Sequence, residues 1–332
     1  MVQRKRKRPE PAKGSSGLTA SRDLALQITI KHLRFLLALA EKLHFRRAAE
    51  SVHVTQPTMS GQIRELEERL GIQLVERSRS HVTLTPIGKK VVARARIVLR
   101  ELEALVDVAK ANQSLFDGVV RLGVVPTLGP YLLPHIMPGL RREHPNLKLY
   151  VREVMPQNLR RDLEEGKLDV ILYPLPIYGA DIHSVPLFRE PLWIAVPSDH
   201  ALARKNRISR EDLKGEVVLA LEHGHRLHEQ VHALCEEYEA EVSIDFEGTS
   251  LDTLRQMVEM GIGIAFLPSL YVISEIRDND QIAVRKLDCS PPNRLIGMVW
   301  RKHSSLHDQY ANLADMTRDI LREGTPEVMA VA

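Results

Sequence analysis

The apolar residues change period once along this chain, near Asp117 and Gly118, and that change requires two kinds of structure in one polypeptide. Before it they recur every three or four positions, the spacing of amphipathic helices. After it, short β-rich runs alternate with helical stretches, the signature of α/β units with a largely parallel sheet.

In the first part, Leu33, Leu36, Leu37 and Ala40 mark one helix, and Ala48, Ala49 and Val52 a second, short one. A third opens at Thr55, whose hydroxyl can cap the helix start, with Pro57 tolerated in the first turn. Its inward stripe is Met59, Ile63, Leu66 and Leu70, and Gly71 ends it. Gln56, Thr58, Ser60, Gln62 and Arg64 are left facing outward, all able to hydrogen-bond bases or phosphates. Residues 73–77 and 81–84 read as a two-stranded wing tipped by Ser78, Arg79 and Ser80, with Arg77 and Arg79 placed to meet the DNA backbone or minor groove. Thr85 and Pro86 open a helix that reaches about Ala111. Its narrow stripe of Val91, Ala95, Val98, Leu102, Leu105 and Ala109 resembles a coiled-coil seam that needs a partner helix; the alternative is a single core helix.

In the second part, strands are expected at 119–125, 148–154 and 168–173 with helices at 131–144 and 158–165. A second set of strands falls at 192–196, 217–221, 242–246 and 262–267, with helices at 227–239 and 251–260. A strand at 295–300 and a helix at 306–322 close the pattern. Two α/β lobes with a cleft between them account for this better than one continuous sheet.

Charge separates the same two parts. The chain has 332 residues, and its first 90 hold 18 basic and 8 acidic side chains, whereas the remaining 242 hold 28 and 35. A cationic front on an anionic remainder points to a nucleic-acid module joined to a signal-reading module. With two cysteines, Cys235 and Cys289, no disulfide framework supports the fold, and a reducing, cytoplasmic setting is expected. No apolar run approaches the roughly 18 residues of a membrane span. The basic cluster Arg4–Arg8 runs into Pro9, Glu10 and Pro11, so it does not begin a secretory signal. Residues 1–27 lack hydrophobic periodicity and are expected to form a disordered basic tail.

Several runs carry a resemblance. Phe45-Arg46-Arg47-Ala48-Ala49-Glu50, Val54-Thr55-Gln56-Pro57-Thr58-Met59-Ser60, Leu74-Val75-Glu76-Arg77 and Thr83-Leu84-Thr85-Pro86-Ile87-Gly88 resemble the amino-terminal domain of LysR-type transcriptional regulators. Residues 123–134 and 249–268 resemble their OxyR branch. The resemblance implies a winged helix-turn-helix at 28–86 and a long linker and dimerisation helix at 87–113. A two-lobed regulatory domain of the type-2 periplasmic-binding-protein kind would follow at 114–325, with lobe I at about 117–187 and 294–325 and lobe II at about 188–293. It also implies a homodimer or homotetramer on double-stranded promoter DNA in contact with RNA polymerase, with no cofactor. Hydrogen-peroxide-inducible activators of that branch place a peroxidatic cysteine just after a Gly-His pair and a resolving cysteine nine positions on. Here Gly224-His225 is followed by Arg226, and nine positions further lies Cys235. Pro156 and Asp245 stand where the branch has a threonine and often a histidine. A guanidinium cannot form a sulfenic acid, so the standard switch is expected to be lost.

Three replacements follow. Arg226 with the hydroxyls of Thr127, Thr249 and Ser250 can line the cleft and bind a small anionic effector; alternatively, Arg226 forms an internal ion pair with a glutamate. His228, His232 and Cys235, at four and three spacing, share a helical face that would suit a zinc-like metal, against the plainer reading of a solvated surface. Cys235 or Cys289 can still sense oxidants, through a bond between chains, although an isolated buried thiol is usually inert. No nucleophile elbow, phosphate-cradling loop or His-Glu-x-x-His pair marks an enzyme. A solute-binding protein would fit the second part but would lack residues 30–111.

Overall fold

A computed structural model describes residues 27–77, 81–110, 118–277, 279–288 and 291–331, with the side chains of 107–110 and 118 excepted. The expected basic tail up to residue 26, Arg79 at the wing tip and Cys289 lie outside the described residues. The chain forms two compact units, one up to Leu102 and one from Glu103.

The first unit starts with α1 (Ile30–Lys42), capped by Thr29, whose hydroxyl accepts from the backbone N–H of His32 at 3.3 Å while His32 Nδ1 accepts from that of Thr29 at 3.2 Å. A short helix α2 (Phe45–Ser51) and then α3 (Gln56–Leu70) follow. Thr55 caps α3 and Gly71, at φ 65°, ends it in the left-handed region that favours glycine. Strands β1 (Val75–Arg77) and β2 (Val82–Leu84) pair antiparallel as the wing, and α4 (Pro86–Lys110) leads away. The stripe Met59, Ile63 and Leu66 of α3 is fully buried against Phe35, Leu36 and Leu39 of α1 and Ala48 and Ala49 of α2. Small residues on α2 let the three helices approach closely.

The second unit is a two-lobed α/β structure on a mixed sheet. In chain order it has β3 (Gly118–Val124), α5 (Gly129–Glu143), β4 (Leu147–Glu153), α6 (Pro156–Glu164), β5 (Val170–Pro174) and the long β6 (Ile182–Pro197). Then come β7 (Arg207–Ile208), β8 (Val217–Leu221), α7 (Arg226–Tyr238), β9 (Glu241–Gly248), α8 (Leu251–Glu259), β10 (Ile264–Pro268) and α9 (Ser269–Glu275). It ends with β11 (Ile282–Leu287), β12 (Asn293–Arg301), α10 (His307–Gly324) and β13 (Met329–Ala330). Strand order is β4-β3-β5-β12-β6-β10-β8-β9, with β11 and β13 also on β6. Pairings β3–β4, β3–β5, β8–β9 and β8–β10 are parallel, but those of β6 and β12 are antiparallel, so the sheet is less parallel than the sequence pattern suggests.

Strand β6 belongs to both lobes. Leu187 and Phe188 enter the lobe I core with Trp300 and Tyr310, while Leu192, Ile194 and Val196 enter the lobe II core with Phe266 and Tyr271. The sequence marks only 192–196, because Pro186, Glu190 and Pro191 interrupt the ten residues before it. The register slips between Ile296 and Gly297 of β12, opposite Phe188 and Pro186, so the proline sits at an irregularity where a ladder bond is already lost. Among the described residues no helix is long and apolar enough to cross a membrane.

Candidate nucleic-acid interface and effector cavity

On α3, Gln56, Thr58 and Arg64 are exposed, and Ser60 and Gln62 are half-buried. The Thr55 and Thr58 hydroxyls are 2.8 Å apart, and the backbone N–H of Thr58 donates to Thr55 Oγ1 at 3.4 Å. Gln62 donates to Glu65 at 2.7 Å. Gln56 and Arg64 have no such partner among the described residues, so their donors are available to a duplex. Pro57 is exposed in the first turn, where its missing N–H costs nothing.

Arg77 is placed otherwise. Its guanidinium donates to Ser60 Oγ at 3.1 Å, lies 3.6 Å from Glu67 Oε2 and sits 4.7 Å over the Phe45 ring. It ties wing to helix, whatever it adds on DNA. Sequence reasoning missed Glu67, whose Oε1 accepts from the backbone N–H groups of Leu74 and Val75 at 2.8 and 3.0 Å. This carboxylate fixes where the wing begins. Also missed was the support at the rear of α3: the buried His32 has Nε2 3.4 Å from Glu65, and this contact first, then the charge of Arg69, holds the Glu65 carboxyl below its ordinary range against desolvation.

Replacing Gln56 or Arg64 by Ala is expected to weaken specific duplex binding by about 1–3 kcal/mol wherever a base contact is lost. Titration of a labelled promoter fragment at fixed salt measures this, and unchanged affinity in both variants would remove α3 from the interface.

On α4, Val92, Ala95 and Ala104 are buried, whereas Val98 and Leu105 of the expected seam are 51% and 63% exposed. The stripe is therefore partly used within the chain and partly open.

In the second unit a cavity of about 800 Å³ is lined from lobe I by the loop Pro174–Tyr178, from lobe II by Arg226, Glu229 and Gln230, and between them by Arg189, Asn293 and Arg294. Arg226, the first residue of α7, pairs with Glu229, so the internal glutamate pair considered from sequence is present. Arg189 donates to Asn293 Oδ1 at 3.3 Å, and Gln230 donates to the Asn293 carbonyl at 2.9 Å.

The three hydroxyls expected beside Arg226 do not line this cavity. Thr127 is buried, its Oγ1 and backbone carbonyl accepting from Arg294 at 3.0 and 2.8 Å. Thr249 is exposed, and Ser250 caps α8, accepting from the Thr253 N–H at 3.2 Å. The unexpected centre is a buried ion pair, Arg294 Nε to Glu190 Oε2 at 2.7 Å, with Glu190 Oε1 accepting from the Leu270 N–H at 3.1 Å. These residues stand 104 positions apart between prolines, with no local pattern that links them.

Cys235 is buried in the lobe II core, and burial pushes its thiol up to about 11. Arg226 and Cys235 lie nine residues apart on one helix, about 13 Å along its axis and on opposite sides. Even two cysteines there would need α7 to unwind before bonding. His228 Nδ1 is 2.7 Å from the Leu221 carbonyl, and its ring lies against that of His232, tilted by 39° with centroids 4.2 Å apart, but the two do not converge with Cys235 on a metal position. His225 is buried with Nε2 unpartnered, and burial lowers its tendency to protonate.

A polar recognition face on a three-helix core, a wing beside it and a two-lobed α/β unit around a cavity define a DNA-binding regulator with a ligand-binding type of domain. Residues 30–89 match the bacterial regulatory helix-turn-helix proteins of the lysR family, and residues 113–322 match the LysR substrate binding domain. The DNA-binding transcriptional dual regulator OxyR of Escherichia coli K12 is 42% identical over 291 residues, 88% of this chain and 95% of that protein. A hydrogen peroxide-inducible genes activator of Dickeya chrysanthemi is 43% identical over 295 residues, 88% of this chain and 95% of that protein. A full-length OxyR from Pseudomonas aeruginosa, solved as a cysteine-to-aspartate variant, superimposes with a TM-score of 0.74 at 35% identity, covering 90% of this chain and 96% of that one. The chain belongs to the LysR family of DNA-binding transcriptional regulators, close to the OxyR hydrogen-peroxide-inducible activators. That family is one of transcriptional regulators rather than enzymes.

Proposed function

We propose that this regulator works in the cytoplasm as a homodimer or homotetramer on double-stranded promoter DNA, and that it lacks the cysteine-pair peroxide switch of its branch. The winged domain at 28–86 would read DNA through Thr55, Gln56, Pro57, Thr58, Ser60, Gln62, Arg64, Arg77 and Arg79. Residues 87–113 would pair chains through the open apolar stripe, and residues 114–325 would relay a signal to RNA polymerase. The observation that carries the altered switch is local: Arg226 occupies the first turn of α7, paired with Glu229, while Cys235 is 2% exposed on the other side of that helix.

A second reading concerns the signal. The cavity at Arg226 combines apolar walls from Pro174, Leu175, Leu227 and Leu295 with the guanidiniums of Arg226 and Arg189, which suits a small anionic effector that exchanges for Glu229. In that reading Thr127 acts from behind the wall, through Arg294.

Footprinting of the purified protein on its promoter, with and without peroxide, tests the proposal. The footprint is expected not to change, and mass spectrometry should find Cys235 reduced. A peroxide-dependent footprint that vanishes on Cys235→Ser would overturn it.

A further inference from the structure

A second cavity, of about 420 Å³, shares no lining residue with the one at Arg226. Its size lies within the roughly 300–1,000 Å³ common for small-molecule sites. It arises where β6, β11, α9 and the segment after α10 meet. Strand β11 runs antiparallel to β6 with Val284 opposite Ala195, which sets Lys286 beside Trp193. The Lys286 ammonium lies 4.5 Å from the centre of the Trp193 ring. Residues two apart on a strand share a face, so Ile282 and Val284 extend this wall. Val272, Ile273 and Ile276, from α9 and the turn after it, form the apolar wall, with Arg277, Asn279 and Glu327 alongside.

Accounting for the polar groups separates structural ones from available ones. Asn279 is used: its amide donates to Glu259 at 2.5 Å and its carbonyl accepts from the Gln281 N–H at 2.8 Å. Glu327 contributes its backbone carbonyl to Ser269 Oγ at 3.4 Å, but its carboxylate has no partner among the described residues. The guanidinium of Arg277 likewise has none, and Lys286 has only the indole face. Two cations and one carboxylate thus border an apolar crevice without pairing with one another.

An apolar acid would leave Glu327 opposed by no charge, and an apolar amine would leave the two cations so. A residue inside a peptide carries neither charge on its backbone. A zwitterion with a hydrophobic side chain satisfies all three groups: its carboxylate meets Arg277 and Lys286, its ammonium meets Glu327, and its side chain takes the wall of Ile276, Val284 and Trp193. We propose that this crevice binds a free α-amino acid with an apolar side chain. The position has a regulatory consequence. Helix α9 also supplies the Leu270 N–H to Glu190, and β13, just after Glu327, pairs with β6 at Arg189 and Phe188. An occupant therefore ties lobe II to the carboxy-terminal segment beside the buried ion pair.

The full-length protein offers a direct optical test. It has two tryptophans, and Trp300 is fully buried in the lobe I core, so a ligand that reaches the crevice changes the emission of Trp193. L-Leucine and L-phenylalanine are expected to give saturable changes that disappear in Trp193→Phe. 4-Methylpentanoate, 3-phenylpropanoate and 3-methylbutylamine, each lacking one charge, should bind at least about tenfold more weakly. Arg277→Gln and Glu327→Gln should each weaken amino-acid binding by about tenfold or more. Their unfolding midpoints should match the parent, because both side chains are without internal partners. Flat titrations with both amino acids, or acids that bind as well as their amino counterparts and ignore Glu327→Gln, would overturn the proposal.

Discussion

Replacing Arg294 by methionine is expected to destabilise the regulatory unit by about 3–5 kcal/mol, the usual cost of leaving a buried charge without its partner. Arg294 is 4% exposed and Glu190 fully buried. The substitution strands the Glu190 carboxylate and leaves both oxygens of Thr127 without their donors. Adding Glu190→Gln should recover part of the loss, since the amide oxygen still accepts from Leu270 and no charge remains. Urea unfolding followed by tryptophan fluorescence is the measurement, because both tryptophans, Trp193 and Trp300, lie in this unit. A loss under about 1 kcal/mol for the single variant would show that the pair is not what holds the strands between the lobes in place.

The second large effect is expected at Gly88. A Cβ there would stand 2.1 Å from the carbonyl oxygen of Leu74, a backbone atom, and 3.0 Å from Thr85 Oγ1. Thr85 is the junction of wing and helix: its hydroxyl donates to Gln73 O at 2.9 Å and accepts from the Gly88 N–H at 2.9 Å. Gly88→Ala must therefore move α4 away from the wing. The expected cost is about 3 kcal/mol in the DNA-binding unit, with loss of specific promoter retention in gel shifts. Tryptophan-detected unfolding of the second unit should stay as in the parent. Promoter affinity equal to the parent would refute the close approach.

The elements that position the DNA interface were legible because each is specified locally. A cap at Thr55, a three-four stripe and a stop at Gly71 determine α3, and its core partners lie within 35 residues. The second unit was legible where strands are uninterrupted, as at β8, and illegible where they are not. The first ten residues of β6 contain two prolines and a glutamate, and β11 carries Arg285 and Lys286, so neither reads as a buried strand. Helix α9 is seven residues long, too short for periodicity to declare itself. Of the residues at and behind the cavity, Arg226 could be singled out by its position, but Glu190 and Arg294 could not, because their pairing is a property of two strands brought together by the whole topology. Thr127, chosen for its hydroxyl, turned out to face that pair.

The carboxylate of Glu67, held by two wing amides while Arg77 reaches back to Ser60, makes the recognition helix and the wing one rigid reading head. Such a head has a fixed gauge. If α3 reads the duplex and the wing meets its backbone as proposed, an operator would present the two at one set separation, and inserting a single base pair between them is expected to weaken binding as a wrong base does.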